Sequence, residues 1–145
     1  MKTQIILIQV DSVSDLITNS STDIFGCQTA MTENAIRELL DNVAKAAGES
    51  AGCTVKTSTL RGFFDEIKWY AAYDLGIRVT DDLVFEKESD NYFTLWLAKY
   101  RHYFGHNANA KTKVILIRGK EDNSIPYWIQ QFIEDRLTGL RYHLG

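Results

Sequence analysis

Apolar residues fall along this chain in two kinds of pattern. The first is the short, nearly continuous run. Residues 3–10 (Thr-Gln-Ile-Ile-Leu-Ile-Gln-Val) are β-branched and almost unbroken in apolarity, which predicts a strand covered on both faces. Residues 113–118 have the same character, and residues 23–28 predict a shorter strand. The second pattern is helical spacing. Ile36, Leu39, Leu40, Val43 and Ala47 form one stripe, with Thr32 as N-cap, Glu33 in the first turn and Gly48 as the stop. Leu60, Phe63, Phe64, Ile67, Ala71 and Leu75 form another, capped by Ser58 or Thr59 and stopped by Gly76. Trp69, Tyr70 and Tyr73 lie beyond that stripe, so this helix is either covered on two sides or presents an aromatic patch.

Residues 80–90 carry five acids against one lysine and predict a short acidic helix. Ser89 then caps a further helix holding Tyr92, Phe93, Trp96, Leu97, Tyr100 and Phe104, closed by Gly105. Pro126 suits the first turn of a last helix, with Ile129, Phe132, Ile133 and Leu137 inward and Gly139 as its end. Residues 140–144 alternate weakly and predict a closing strand, which would complete a right-handed β-α-β unit with 113–118 if parallel to it. Residues 48–57 read as a loop. Together these elements predict a single domain over 1–145 of α/β or α+β class. A small mixed sheet of three to four strands is covered by about four helices, and 3–10 and 113–118 lie near the sheet's centre.

Composition adds limits. A chain of 145 residues buries enough surface for a core without metals or disulfides. Its net charge of −3 favours no particular polyanion. Cys27 reads as a small core residue and Cys53 as a loop residue, both expected as thiols. No window approaches a membrane span, no signal peptide is visible, and the expectation is a cytoplasmic protein without membrane contact.

Two polar loops carry the candidate chemistry. The first, behind strand 3–10, holds Asp11, Asp15, Asn19, Ser20, Ser21, Thr22 and Asp23. The second, behind strand 113–118, holds Lys120, Glu121, Asp122, Asn123 and Ser124. If the two strands run parallel, both loops leave the sheet at one rim, where α/β proteins place ligands. The expected ligand-binding set is Asp11, Asn19, Ser20, Ser21, Thr22, Asp23, Lys120, Asp122 and Asn123. The bland alternative is a pair of connectors whose side chains satisfy their own backbone. Neither loop has the glycines of a P-loop or dinucleotide fingerprint. No serine, cysteine or histidine constellation marks a catalytic residue. His102 and His106 are four apart but lack the further ligands a zinc site needs, and His143 has no partner visible in sequence. No cofactor and no metal is expected. Residues 99–120 interleave Lys99, Arg101, Lys111, Lys113, Arg118 and Lys120 with Tyr100, Tyr103 and Phe104, a pattern able to track and stack nucleic acid.

The strand followed by Asn19-Ser20-Ser21-Thr22 resembles a recurring group of small uncharacterised bacterial and phage-encoded proteins. In these a first strand runs into an Asn-Ser-Ser-Ser/Thr segment. Glu121-Asp122-Asn123-Ser124-Ile125-Pro126 and the terminal Tyr142-His143-Leu144-Gly145 add to the likeness. Asp23 stands where the group often has Ser or His. The resemblance implies no activity. The leading expectation is therefore a non-enzymatic accessory or protein-interaction module of bacterial or phage origin, pairing as a homodimer through its aromatic helix faces. One alternative is a divalent-cation-dependent enzyme acting on phosphate esters or nucleotides, with Asp11, Asp23 and Asp122 on the cation and Lys120 on developing charge. The other is nucleic-acid binding through residues 99–120, which the acidic balance of the chain disfavours.

Overall fold

A computed structural model describes residues 22–48, 52–78, 81–119 and 127–144. In chain order these form β1 (Thr22–Gln28), α1 (Glu33–Ala46), β2 (Cys53–Thr59), α2 (Leu60–Glu66), α3 (Lys68–Asp74) and α4 (Asp82–Tyr100). A 3-10 turn (Arg101–Tyr103), β3 (Lys113–Gly119), α5 (Tyr127–Arg136) and β4 (Thr138–Leu144) follow. The expected strand 3–10 and the turn at Pro126 lie outside the described residues.

The four strands make one sheet in the order β2-β3-β1-β4, and every neighbouring pair is antiparallel. The α/β class stands. Among the described residues the sheet is antiparallel, where a mixed one was expected. β3 and β4 do run the same way, but β1 lies between them, and β3 likewise separates β1 from β2. The chain thus makes two interlocked split β-α-β units, the ferredoxin-like connectivity. The crossover helices α1 and α5 share one face of the sheet. There Ile36, Leu40, Ala44, Ile133 and Leu137 pack with Phe25, Cys27, Val55, Ile115 and Ile117. Helices α2 to α4 cover the other face. Leu60, Phe63, Phe64, Trp96 and Phe104 lie there with Ile24, Val114, Leu116, Leu140 and Tyr142. Both faces of β3 are therefore dry, as its unbroken apolar run requires.

Several local expectations hold in detail. The Thr32 hydroxyl accepts from Ala35 N–H at 3.1 Å, and the Thr59 hydroxyl accepts from Gly62 N–H at 3.0 Å. Gly76 takes φ of +73° behind α3, a left-handed turn that a side chain would strain.

Other elements differ. The expected loop 48–57 gives way to edge strand β2 from Cys53 onward; only Val55 in it is large, apolar and buried, so its alternation is faint. The single helix expected over residues 60–75 breaks at Ile67 (φ −112°, ψ 17°) into α2 and α3. Ile67, Ala71 and the adjacent Ala72 are all buried, which one straight stripe does not accommodate. The two helices expected between 80 and 104 are one. Asp81 caps it, its carboxylate accepting from Val84 N–H at 2.8 Å. Ser89 sits inside it, donating to the Glu86 carbonyl at 3.2 Å and thus satisfying itself within the helix. Gly139 does not end α5 but lies within β4 opposite Cys27, where a Cβ would collide with the Gly26 carbonyl.

Candidate functional site

The strand period sends Ile24 and Gly26 toward α2–α4 and Asp23, Phe25 and Cys27 toward α1 and α5. Asp23 is thereby carried under α5 and is only 1% exposed. A carboxylate buried this far is costly unless partnered. Its partners come from three directions. Gln130 Nε2 of α5 donates to it at 2.9 Å, and Arg141 Nε of β4 donates at 3.2 Å. His143 Nδ1 lies 2.9 Å from the same carboxylate. Asp23 and His143 are direct register partners across β1 and β4, and Arg141 is the diagonal neighbour opposite Phe25. Arg141 reaches on to Glu134 of α5 at 3.6 Å. One carboxylate therefore gathers a histidine, an arginine and an amide at one end of the sheet. Chemically, a carboxylate on Nδ1 fixes an imidazole's orientation and directs its chemistry to Nε2.

The cluster sits at the sheet end where the chain enters β1 and leaves β3. Ile24 pairs with Arg118 and Thr22 with Leu144, so β1 begins beside the ends of β3 and β4. The chain enters β1 and leaves β3 at the same sheet end, through antiparallel neighbours. Of the expected ligand set, Asp23 belongs to the cluster and Thr22 opens β1. Asp11, Asn19, Ser20, Ser21, Lys120, Asp122 and Asn123 lie outside the described residues. Sequence reasoning missed Gln130, Arg141 and His143. The signal was the alternation of residues 140–144, which places Arg141 and His143 together on the face that Leu140, Tyr142 and Leu144 avoid.

Among the described residues no group of three His, Cys, Asp or Glu side chains could hold a metal ion. His102 lies in the 3-10 turn with its ring against Tyr103, and His106 is exposed in the following turn, so the two share no helix. In the 99–120 segment Tyr100, Tyr103 and Phe104 are buried, which removes the stacking surface a nucleic acid would use. Lys99 is paired with Asp74 (3.4 Å) and Arg118 with Glu66 (3.3 Å).

A second buried polar chain lies on the opposite face. Trp96 Nε1 donates to the Tyr142 hydroxyl at 2.9 Å, and the Tyr100 hydroxyl donates to Asp74. Burial, with Asp74 nearby, pushes the Tyr142 phenol well above its ordinary range, while the Trp96 bond opposes that shift. A groove of about 290 Å³ between α2 and α4 is lined by Arg61, Lys68, Phe85 and Ser89. Its arginine is already engaged by Asp65 (3.1 Å), Asp90 (2.7 Å) and Ser89 (3.0 Å).

The aromatic excess is mostly core. Phe64, Phe85, Phe93 and Trp96 form one edge-and-stack network. Among the described residues, most of what remains outside lies on two segments. Trp69 and Tyr73 (66% exposed) stand on one face of α3, and Leu83 (81% exposed) and Val84 open α4. The ring centroids of Trp69 and the buried Phe85 lie 6.0 Å apart, so α3 packs beside the start of α4. No helix among the described residues is long and apolar enough to cross a membrane. No family model, curated protein or solved structure matches the chain.

Proposed function

We propose that the chain is a non-enzymatic interaction module that pairs with a second copy of itself through α3 and the start of α4. One observation carries the reading. Of the five large hydrophobic side chains left exposed among the described residues, four (Trp69, Tyr73, Leu83 and Val84) come from these two segments. Burying such a side chain is worth about 1.5–3 kcal/mol, and a cluster of them marks a contact surface more than a random spill of apolar residues does. The rim favours a like partner. It carries both signs, with Lys68 3.6 Å from Asp82, and a self-complementary contact can set one against the other across a twofold axis. A bacterial or phage accessory role accords with the resemblance at Asn19–Thr22.

Sedimentation velocity on the full chain tests this. The reading expects a dimer that Tyr73→Glu with Leu83→Glu converts to a monomer of native circular dichroism. A wild-type monomer at every concentration tested removes it.

The Asp23 cluster supports a second reading, in which the polar loops bring a ligand to His143. Its test is binding of inorganic phosphate, with and without magnesium, to the wild type and to His143→Gln. Equal affinities in the two chains end it.

A further inference from the structure

Among the described residues β2 is an edge strand, and the pairing parity shows which of its groups face outward. Leu60 N–H donates to the Thr112 carbonyl at 2.9 Å, in register with the Thr59–Lys113 pair of the ladder. Opposed residues of an antiparallel ladder alternate between bonded and non-bonded pairs. Thr54, Lys56 and Ser58 therefore bond to β3, and Val55 and Thr57 turn their N–H and C=O groups away from it. An outward row of this kind is a template for another strand.

Two side chains of α1 occupy the middle of that row. Glu33 Oε1 accepts from Thr57 N–H at 2.6 Å, and Arg37 Nη2 donates to the Val55 carbonyl at 2.9 Å. The two are also joined to each other at 2.8 Å, one helical turn apart, and Asn34 holds the second Arg37 nitrogen at 2.8 Å. Carboxylate and guanidinium together present one acceptor and one donor to the groups flanking Lys56. A single residue of a parallel neighbouring strand would present the same pair.

We infer that Glu33 and Arg37 form a latch over the β2 edge, and that opening it lets a second copy of the chain add its own β2 there. This surface is separate from the α3–α4 face. The occupant follows from symmetry. An antiparallel β2–β2 contact is isologous, and Thr54, Val55, Thr57 and Thr59 make four of the seven residues of β2 β-branched. The same twofold sets Glu33 of one copy near Arg37 of the other, so charges moved off the edge keep neighbours of opposite sign.

The test uses the Tyr73→Glu, Leu83→Glu chain, in which the helix surface is disabled. Adding Glu33→Ala and Arg37→Ala is expected to tighten self-association by at least about tenfold in sedimentation equilibrium. Adding Thr57→Pro as well should return the chain to monomer, because proline removes the outward N–H and leaves the ladder to β3 intact. If the double alanine chain does not fold, Arg37→Met, which keeps the aliphatic stem, replaces it with the same expected direction. A folded, latch-opened chain that stays monomeric overturns the inference, as does a dimer that survives Thr57→Pro.

Discussion

Asp23 and His143 face each other across β1 and β4, with carboxylate and Nδ1 2.9 Å apart, although 120 residues separate them in the chain. Because Gln130 and Arg141 share the same carboxylate, this pair also fastens α5 and the last strand to the sheet.

Replacing Asp23 with alanine should therefore be one of the most damaging single changes on the α1/α5 face. It leaves the guanidinium of Arg141 and the ring of His143, both mostly buried, without their shared acceptor. Breaking such a pair from one side costs about 3 kcal/mol. Urea unfolding measures it. Arg141→Met should recover part of the loss in the double variant, because the guanidinium that has lost the Asp23 carboxylate is then gone. A loss for Asp23→Ala below about 1 kcal/mol would contradict the role assigned to the cluster.

Gly139 and Gly48 separate two reasons for glycine. A Cβ on Gly139 would strike the Gly26 carbonyl of the paired strand, whereas Gly48 (φ +75°) has open space around it. Gly139→Ala should cost about 3 kcal/mol and loosen the β1–β4 ladder in hydrogen exchange. Gly48→Ala should cost about 1 kcal/mol through its backbone conformation alone. Equal costs in thermal melts would show that the strand contact is not what holds Gly139.

Tyr142→Phe removes the acceptor for the buried Trp96 N–H. The expected loss is about 1–3 kcal/mol at neutral pH. The phenol carries a pH signature as well. Its folded value lies above the ordinary tyrosine value of 10.0, so the folded state keeps it neutral while the unfolded chain ionises. The stability it contributes is complete below that ordinary value and declines as pH rises beyond it. The phenylalanine variant should show a shallower alkaline decline than the wild type.

The latch on β2 has the opposite sign. The hydrogen bond from Arg37, and then the one from Thr57 N–H, hold the Glu33 carboxyl below the usual glutamate range. Lys56 on the same strand pairs with Glu66 (3.2 Å) rather than with Glu33. A depressed carboxyl contributes above the unfolded glutamate value and is lost as pH falls through its lower folded value. The protection of the Thr57 amide, measured against its intrinsic exchange rate at each pH, should fall across that acidic window in the wild type. In Glu33→Gln that fall should be absent.

Much of this architecture is legible in the chain. The run at 113–118 announces β3, and Thr32 and Thr59 announce their helices through hydroxyls that accept from the first exposed amides. What is not legible depends on contacts distant in sequence. β2 hides because an edge strand with one large buried residue gives little periodicity. The break at Ile67 follows from packing α2 on the sheet and α3 on α4. Arg141 and His143 look like an ordinary polar strand face until β1 brings Asp23 beneath them. The aromatic surplus over residues 63–73 and 92–104 suggests a surface in sequence. Most of it is the core on the α2–α4 face of the sheet, leaving Trp69 and Tyr73 outside.

The central claim is that the exposed side chains of α3 and α4 form a self-association surface. The most direct measurement is sedimentation velocity of the wild-type chain beside Tyr73→Glu, Leu83→Glu over a shared concentration series. The account predicts a wild-type boundary that moves from monomer to dimer with concentration, and a variant boundary that stays at monomer. A wild type that remains monomeric throughout, or a dimer that persists unchanged in the variant, contradicts it.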